Sequence, residues 1–292
     1  MKEIAVVSGK GGTGKSSISA AFATLGSPIV LADCDVDAAN LYLLFEPEQK
    51  EEIVYIGGHK AVVNHSLCTT CGICVSQCRF NAISAQDNRI VITETSCDGC
   101  FLCSRICPEG AISMEKSDKS RLYAGSFRCG HMVYGRLAPG EENSGKLVSM
   151  VRQKAKSLAK ENNLDTIILD GPPGIGCPVI STLTGVSRVV IVTEPTMSGF
   201  HDMTRIIEVV QKFNVKPSIV INKYDLNQER ADEISGWCSQ KGILIAGRLP
   251  FSIDFVDAMV QQKSIIEYNK NKKINDAIQL IYSNIVEQKI SE

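Results

Sequence analysis

Two groups of residues in this chain have types and spacing that could do chemistry. The first is Gly9-Lys10-Gly11-Gly12-Thr13-Gly14-Lys15-Ser16, which fits G-x-x-x-x-G-K-[ST]. Glycines so placed let backbone N–H groups turn inward on a phosphate, and a helix starting near Lys15 would add its positive end. Lys15 would supply charge to the β- and γ-phosphates, and the Ser16 hydroxyl would bind Mg2+. The second group is a repeated cysteine run. Cys68-x2-Cys71-x2-Cys74-x3-Cys78 recurs 29 residues later as Cys97-x2-Cys100-x2-Cys103-x3-Cys107. Such a tight run lets three thiolates converge on one face of an iron–sulfur cubane while the fourth serves a second one. Cluster one would then use Cys68, Cys71, Cys74 and Cys107. Cluster two would use Cys97, Cys100, Cys103 and Cys78. The second run keeps the expected proline, Cys107-Pro108, whereas the first has Cys78-Arg79. Two other readings remain open: a pair of zinc sites, which favours widely separated C-x2-C pairs, and a disulfide module.

The elements that must position these groups follow from the apolar pattern. Ile4–Val7 and Ile29–Ala32 read as buried strands flanking a helix over Ser16–Leu25. Beyond the cysteine runs, strands are expected at Thr166–Leu169, Arg188–Thr193, Ser218–Ile221 and Ile243–Ala246. Helices are expected at Ser144–Glu161, Ser198–Phe213, Gln228–Ser239 and Asn275–Gln288. Alternating strand and helix implies an α/β fold, a parallel sheet with helices on both faces. The division expected is a first part at 1–58, an inserted small α+β cysteine domain at 59–116, and a second part at 117–292. Ala82-Ile83-Ser84 recurs as Ala111-Ile112-Ser113 at the same offset, so the insertion should be a pseudo-two-fold module.

Composition bounds the function. Lys and Arg number 31 and Asp and Glu 32, a net charge of −1, which argues against a chain built around a nucleic-acid polyanion. No apolar run reaches about 18 residues, so no membrane span is expected. Met1-Lys2-Glu3-Ile4 enters a strand directly and does not read as an export signal. Eight of the 12 cysteines lie between Cys68 and Cys107, which points to metal ligation in a reducing cytoplasm.

Lys10 is not needed to hold phosphates within one subunit. With it, the run Lys10-Gly11-Gly12-Thr13-Gly14-Lys15-Ser16 resembles the deviant Walker A of the MinD/Mrp superfamily of P-loop ATPases, which includes the nitrogenase iron protein. Asp33-Cys34-Asp35-Val36-Asp37, with Asn40-Leu41, resembles the family's second strand and switch I. Asp170-Gly171-Pro172-Pro173-Gly174 resembles its Walker B and switch II. The resemblance implies ATP and Mg2+ as ligands and a homodimer closed by ATP, with Lys10 reaching the partner's nucleotide. It implies that Gly11 through Ser17 cradle phosphate, that Asp35 orients the attacking water and that Ser16 and Asp170 hold Mg2+. Asn222, Pro250 and Phe251 would border the adenine. Asn222-Lys223-Tyr224-Asp225 also fits a guanine-selecting pattern, so the base stays open on the residues alone. The cysteine segment resembles a two-cluster ferredoxin domain carrying two 4Fe–4S clusters.

Cys177 lies seven residues after Asp170, where the nitrogenase iron protein places a cluster ligand. Its companion would fall within Pro139–Ser144, where this chain has no cysteine; Cys129 is the candidate second thiolate, and the alternative is a small half-buried residue. Cys34 and Cys238 read as core. Ile274, Ala277, Ile278, Ile281 and Ile285 form an apolar helical stripe read as core packing rather than as a membrane-seeking helix. The combination suggests an ATPase coupled to electron transfer, or to iron–sulfur or metallocofactor maturation, with a redox or metallocofactor partner. The alternatives are a cluster carrier acting through Cys177 and a MinD-like positioning ATPase. Residues 59–116 hold five basic and five acidic side chains. Two loaded clusters would add about −4, so a basic partner surface is expected.

Overall fold

The computed structural model describes residues 1–142 and 144–286. Asn143, and Gln288 at the expected end of the last helix, lie outside the described residues. The chain opens with β1 (Lys2–Ser8), α1 (Lys15–Leu25), β2 (Ile29–Asp33), α2 (Leu41–Phe45) and β3 (Glu48–Tyr55). The cysteine-rich part runs β4 (His59–Val63), α3 (Ile73–Gln77), β5 (Ile83–Gln86), β6 (Arg89–Ile92), α4 (Leu102–Ile106) and β7 (Ile112–Lys116). There follow β8 (Ser120–Phe127), β9 (Gly130–Arg136), α5 (Lys146–Glu161), β10 (Thr166–Pro173), α6 (Cys177–Leu183), β11 (Arg188–Thr193) and α7 (Met197–Gln211). The last elements are β12 (Pro217–Asn222), α8 (Gln228–Gln240), β13 (Leu244–Leu249), α9 (Asp254–Val260), α10 (Ile265–Tyr268) and α11 (Lys272–Val286).

By contact density the chain divides into two units. The first comprises Met1–Glu52, Leu122–Gly135 and Ser144–Glu292; the second comprises Ile53–Arg121 and Arg136–Asn143. The nine-stranded sheet has the order β13-β12-β11-β1-β10-β2-β9-β8-β3. From β13 to β9 every neighbouring pair is parallel. Its central strands are buried on both faces, as a helix-covered parallel sheet requires. Ile4, Val6, Leu31 and Ile168 share one apolar cluster with Ile18 and Phe22 of α1 and Ile278 and Ile281 of α11. Ala5, Val7, Val30 and Leu169 point the other way and are equally buried; α5 packs on β2 and β10. The Glu3 carboxylate fixes α5 to the start of β1 through Arg152 at 2.7 Å and Lys156 at 2.8 Å.

The expected strands and helices of this unit are all present, with Arg188–Thr193 matched at both ends. Three sheet strands were not expected. β3 reads Glu-Gln-Lys-Glu-Glu before its apolar end, a charged strand at the edge of the sheet. β8 and β9 alternate apolar with small and polar residues and lie on either side of Arg128-Cys129.

In the second unit the sequence repeat becomes a crossed pairing of strands. β4, from the first half, pairs antiparallel with β7 from the second, Val63 opposite Ile112. β5 pairs with β6, Ile83 opposite Ile92. Each half therefore completes the other's sheet. Ala82, Ile83 and Ile112 sit in one small core with Ala61, Ile90, Cys74 and Cys97, while the repeated Ala111 is also buried.

Candidate functional site

The phosphate loop leaves the carboxyl end of β1, where ligands gather in open parallel sheets. Gly14 has φ +93°, and a Cβ there would come within 2.4 Å of Asn222 Nδ2. Only glycine suits that position. The Asn222 amide donates to the Thr13 carbonyl at 2.8 Å, so β12 is tied to the loop. Thr13 is buried, and its hydroxyl has no hydrogen-bond partner among the described residues. Gly11, Gly12 and Ser17 lie in and just after the same loop. Lys15 is buried, with its amine 3.9 Å from the Asp35 carboxylate.

Asp170, in β10, sits opposite Asp33 of β2 in register, and both are fully buried. The Ser16 hydroxyl donates to Asp170 Oδ2 at 2.7 Å and Ser19 to Oδ1 at 2.7 Å. Asp33 accepts backbone N–H bonds from Asp35, Asn40 and Leu41, which fold the switch-I-like segment around it. Burial and the neighbouring Asp170 push the Asp33 carboxyl up, against the pull of the Leu41 and Asn40 donors. Burial also raises Asp170, opposed by Lys15, Ser16 and Ser19, and raises Asp35, opposed by Lys15. Asp170 with the Ser16 hydroxyl, and Asp35 beside Lys15, are suited to a divalent cation and a phosphate chain.

Lys10 lies in its own chain's grip. Its amine is 3.3 Å from Glu194 Oε2 and donates to Thr196 Oγ1 at 3.4 Å and Ser198 Oγ at 3.3 Å. Glu194 also holds Lys223 at 2.5 Å, and Lys223 donates to the Gly12 carbonyl at 3.2 Å. Glu194 and Ser19 were not singled out from the sequence. Glu194 follows β11 directly, and its place at a strand's carboxyl end is the signal that could have found it. Phe251, beside Pro250, is exposed, and its N–H donates to Asp225 Oδ1 at 2.7 Å.

In the second unit the eight thiols line two cavities. One has Cys78, Cys97, Cys100 and Cys103 in its wall, together with Cys74. The other has Cys68, Cys71, Cys74 and Cys107. The loops around them repeat in backbone as well as in sequence. Thr70 and Gly99 have positive φ, as do Gly72 and Phe101, and Asn81 and Gly110, each pair at the 29-residue offset. Alternating right- and left-handed residues turn N–H groups into a concavity that suits sulfide or phosphate. The Ala111 N–H lies 3.3 Å from Cys107 Sγ. Among the described residues no three His, Cys, Asp or Glu side chains are close enough to share a single metal ion. A cubane, which holds its thiolates apart on separate corners, needs no such convergence, and the donor set and loop shape fit it.

The other cysteines separate cleanly. Cys34 and Cys238 are fully buried, and burial raises both thiols, Cys238 to about 11. Cys129 is buried in the core of the first unit beside Thr24, Arg128 and Glu267. Cys177 is exposed at the start of α6. Its carbonyl lies where a Cβ on Gly145 would point, so the chain near the expected companion does approach it, without a thiol. Ile274, Ile278, Ile281 and Ile285 are buried, so the α11 stripe is spent on the core. No described helix is long and apolar enough to cross a membrane.

A glycine-rich loop between the central strand and a helix, with acids at the ends of the adjoining parallel strands, defines a P-loop nucleotide-binding protein. The chain matches the family of CobQ/CobB/MinD/ParA nucleotide-binding domains over residues 4–265 and belongs to it. It is 35% identical over 288 residues to an uncharacterized protein of Methanocaldococcus jannaschii, covering 98% of this chain and 96% of that one. It is 32% identical over 108 residues to hydrogenase-4 component A of Escherichia coli (strain K12), covering 36% of this chain and 51% of the relative. Its fold is similar to the septum site-determining protein MinD complexed with Mg-ADP from Pyrococcus horikoshii. The TM-score there is 0.60 at 16% identity, with 99% and 97% of the two chains covered. The protein is thus a MinD/ParA-type nucleotide-binding ATPase of α/β P-loop fold.

Proposed function

We propose that this protein is an ATP-driven switch whose closure governs electron delivery from two 4Fe–4S clusters to a partner redox or metallocofactor protein. The observation that carries the proposal is the crossed lining of the two thiol cavities, in a chain that also has a complete phosphate loop. The likeness to hydrogenase-4 component A supports a redox setting. In the proposed cycle Lys15 and the loop N–H groups from Gly11 to Ser16, with Ser17 beside them, hold the phosphates. Ser16 and Asp170 hold Mg2+. Asp35 orients the water that attacks the γ-phosphate, and Asn222, Pro250 and Phe251 border the adenine. Lys10 leaves Glu194 to reach the partner protomer's nucleotide. Bound clusters would each take and release one electron. The cysteines of the two runs supply the thiolates in the crossed sets, and the left-handed loop residues aim N–H groups at the sulfides.

The decisive experiment uses anaerobically purified protein. About eight irons per chain, and ATP-dependent electron transfer from the reduced protein to an acceptor, are expected. Stoichiometric zinc without iron overturns the cluster assignment. Equal transfer rates with and without ATP overturn the gating. The exposure of Cys177 favours a second reading, a carrier that passes on a labile cluster. An extra substoichiometric cluster that survives Cys177→Ser refutes that reading. The fold likeness to MinD keeps a positioning ATPase as a third reading, which requires ATP-dependent binding to vesicles.

A further inference from the structure

Lys60 lies in β4 and is 8% exposed. Its amine donates to the Cys97 carbonyl at 2.7 Å and to the Gly140 carbonyl at 2.7 Å. Among the described residues it pairs with carbonyl oxygens and with no carboxylate; Glu115, its neighbour in register, is exposed. Burying an ammonium against neutral acceptors is costly unless negative charge nearby repays it. Cys97 belongs to the cavity shared with Cys78, Cys100 and Cys103. A 4Fe–4S cluster there would grow more negative by one unit when it accepts an electron, and a fixed cation behind its ligand loop favours that state.

The internal repeat supplies the control. The residue 29 positions beyond Lys60 is Arg89, the first residue of β6, and it is exposed. Both halves place a cation at the same point, but only one of the two is enclosed. The enclosure comes from the segment around Gly140, for which the repeat has no counterpart. Gly140 has φ +77°, and a Cβ there would fall 2.3 Å from the Thr95 carbonyl, on the approach to Cys97. Glu141 accepts hydrogen bonds from the Ser117 and Ser120 hydroxyls, which fasten the same segment within its unit.

We infer that Lys60 makes the two clusters unequal. The one held by Cys78, Cys97, Cys100 and Cys103 has the higher potential and is where an electron rests. The inference rests on the cluster assignment proposed above. The test is a redox titration of anaerobically purified full-length protein, followed by electron paramagnetic resonance, with iron and sulfide measured on every sample. Wild type should reduce in two separated one-electron steps per chain. Lys60→Gln, which keeps an N–H donor but not the charge, should retain its iron and move the upper step to lower potential, leaving the other step in place. Lys60→Arg and Arg89→Gln should titrate like wild type. A single unresolved step in wild type overturns the inference, independently of how any variant folds. So does an iron-replete Lys60→Gln with both steps unmoved, or with both shifted equally. Absence of iron from wild type instead overturns the cluster assignment itself.

Discussion

In the proposed cycle Glu194 would stand between the nucleotide-free protein and a closed dimer. Its carboxylate is paired with Lys10, the lysine that the proposed dimer needs elsewhere, and the pair is only partly exposed, 30% for the Lys10 side chain and 13% for Glu194. An ion pair of this kind contributes about 0.5–1 kcal/mol. Closing a symmetric dimer would break it twice, at a cost of about 1–2 kcal/mol. At about 1.4 kcal/mol per factor of ten, Glu194→Gln should tighten the ATP-bound dimer by about 5- to 30-fold. Lys223 would lose the same partner but would keep the Gly12 carbonyl, so the loop should survive the change.

Sedimentation in ATP and Mg2+, on an Asp35→Asn background that slows hydrolysis, would read the dimer affinity. The gain should shrink as salt is raised, because the competing pair is screened too. It should vanish when Lys10→Ala is added, since Glu194 is argued to act through Lys10. A dimer unchanged or weakened by Glu194→Gln refutes the reasoning. So does a gain that persists without Lys10.

Further outcomes follow from the same geometry. Asp35→Asn should leave ATP binding within a few-fold and lower hydrolysis by about 10^2- to 10^4-fold, measured as phosphate release. Cys107→Ser should cost the cluster that uses Cys68, Cys71 and Cys74, and Cys78→Ser the other one, each losing about four irons per chain. Loss of the same cluster from both variants contradicts the crossing. The nucleotide-free protein should lose stability as pH rises. Asp33 folds with its carboxyl pushed from 3.8 up to about 8, mainly by burial beside Asp170, so the folded state holds a proton that the unfolded state releases. That stability is fully present below about pH 4 and is lost as pH climbs through about 8. Asp33→Asn should flatten the dependence in a thermal-melt series, and saturating Mg2+ with nucleotide should weaken it.

The phosphate loop and the cysteine runs were legible because each encodes its geometry within a few consecutive residues. Gly14 is written into the loop because Asn222 leaves no room for a Cβ. The central strands were legible because burial on both faces demands unbroken apolar runs such as Ile4–Val7. β3 was not, since an edge strand of charged residues carries no such run, and β8 and β9 were not, since their apolar residues alternate with small and polar ones. Glu194, Ser19 and Lys60 were hidden for another reason: each acts on a residue distant in sequence, and only the fold brings Lys10, Asp170 or Cys97 to it. The cysteine crossing was read from spacing, but spacing does not reveal the backbone at Thr70 and Phe101. Their left-handed backbone repeats that of Gly99 and Gly72, and shows that the repeat conserves a loop shape even where glycine has been replaced.

Asn222-Lys223-Tyr224-Asp225 shows how contacts bear on a motif with two readings. A guanine-selecting aspartate accepts from the base through its carboxylate. Here Asp225 Oδ1 already accepts the Phe251 N–H, and that bond ties the loop after β12 to the loop after β13. Asn222 spends its amide on the Thr13 carbonyl and its oxygen on the Lys223 N–H. Lys223 is turned away to Glu194 and the Gly12 carbonyl. Three of the four residues of that pattern, Asn222, Lys223 and Asp225, thus join the phosphate loop and the ends of neighbouring strands. The exposed Phe251 ring remains as an apolar face beside that junction, a surface suited to stacking a purine without selecting guanine. In the proposed cycle a purine would stack on that ring and be framed by shape rather than by a charged contact, beside the phosphate site where Asp35 faces Lys15 and Asp170 faces Ser16.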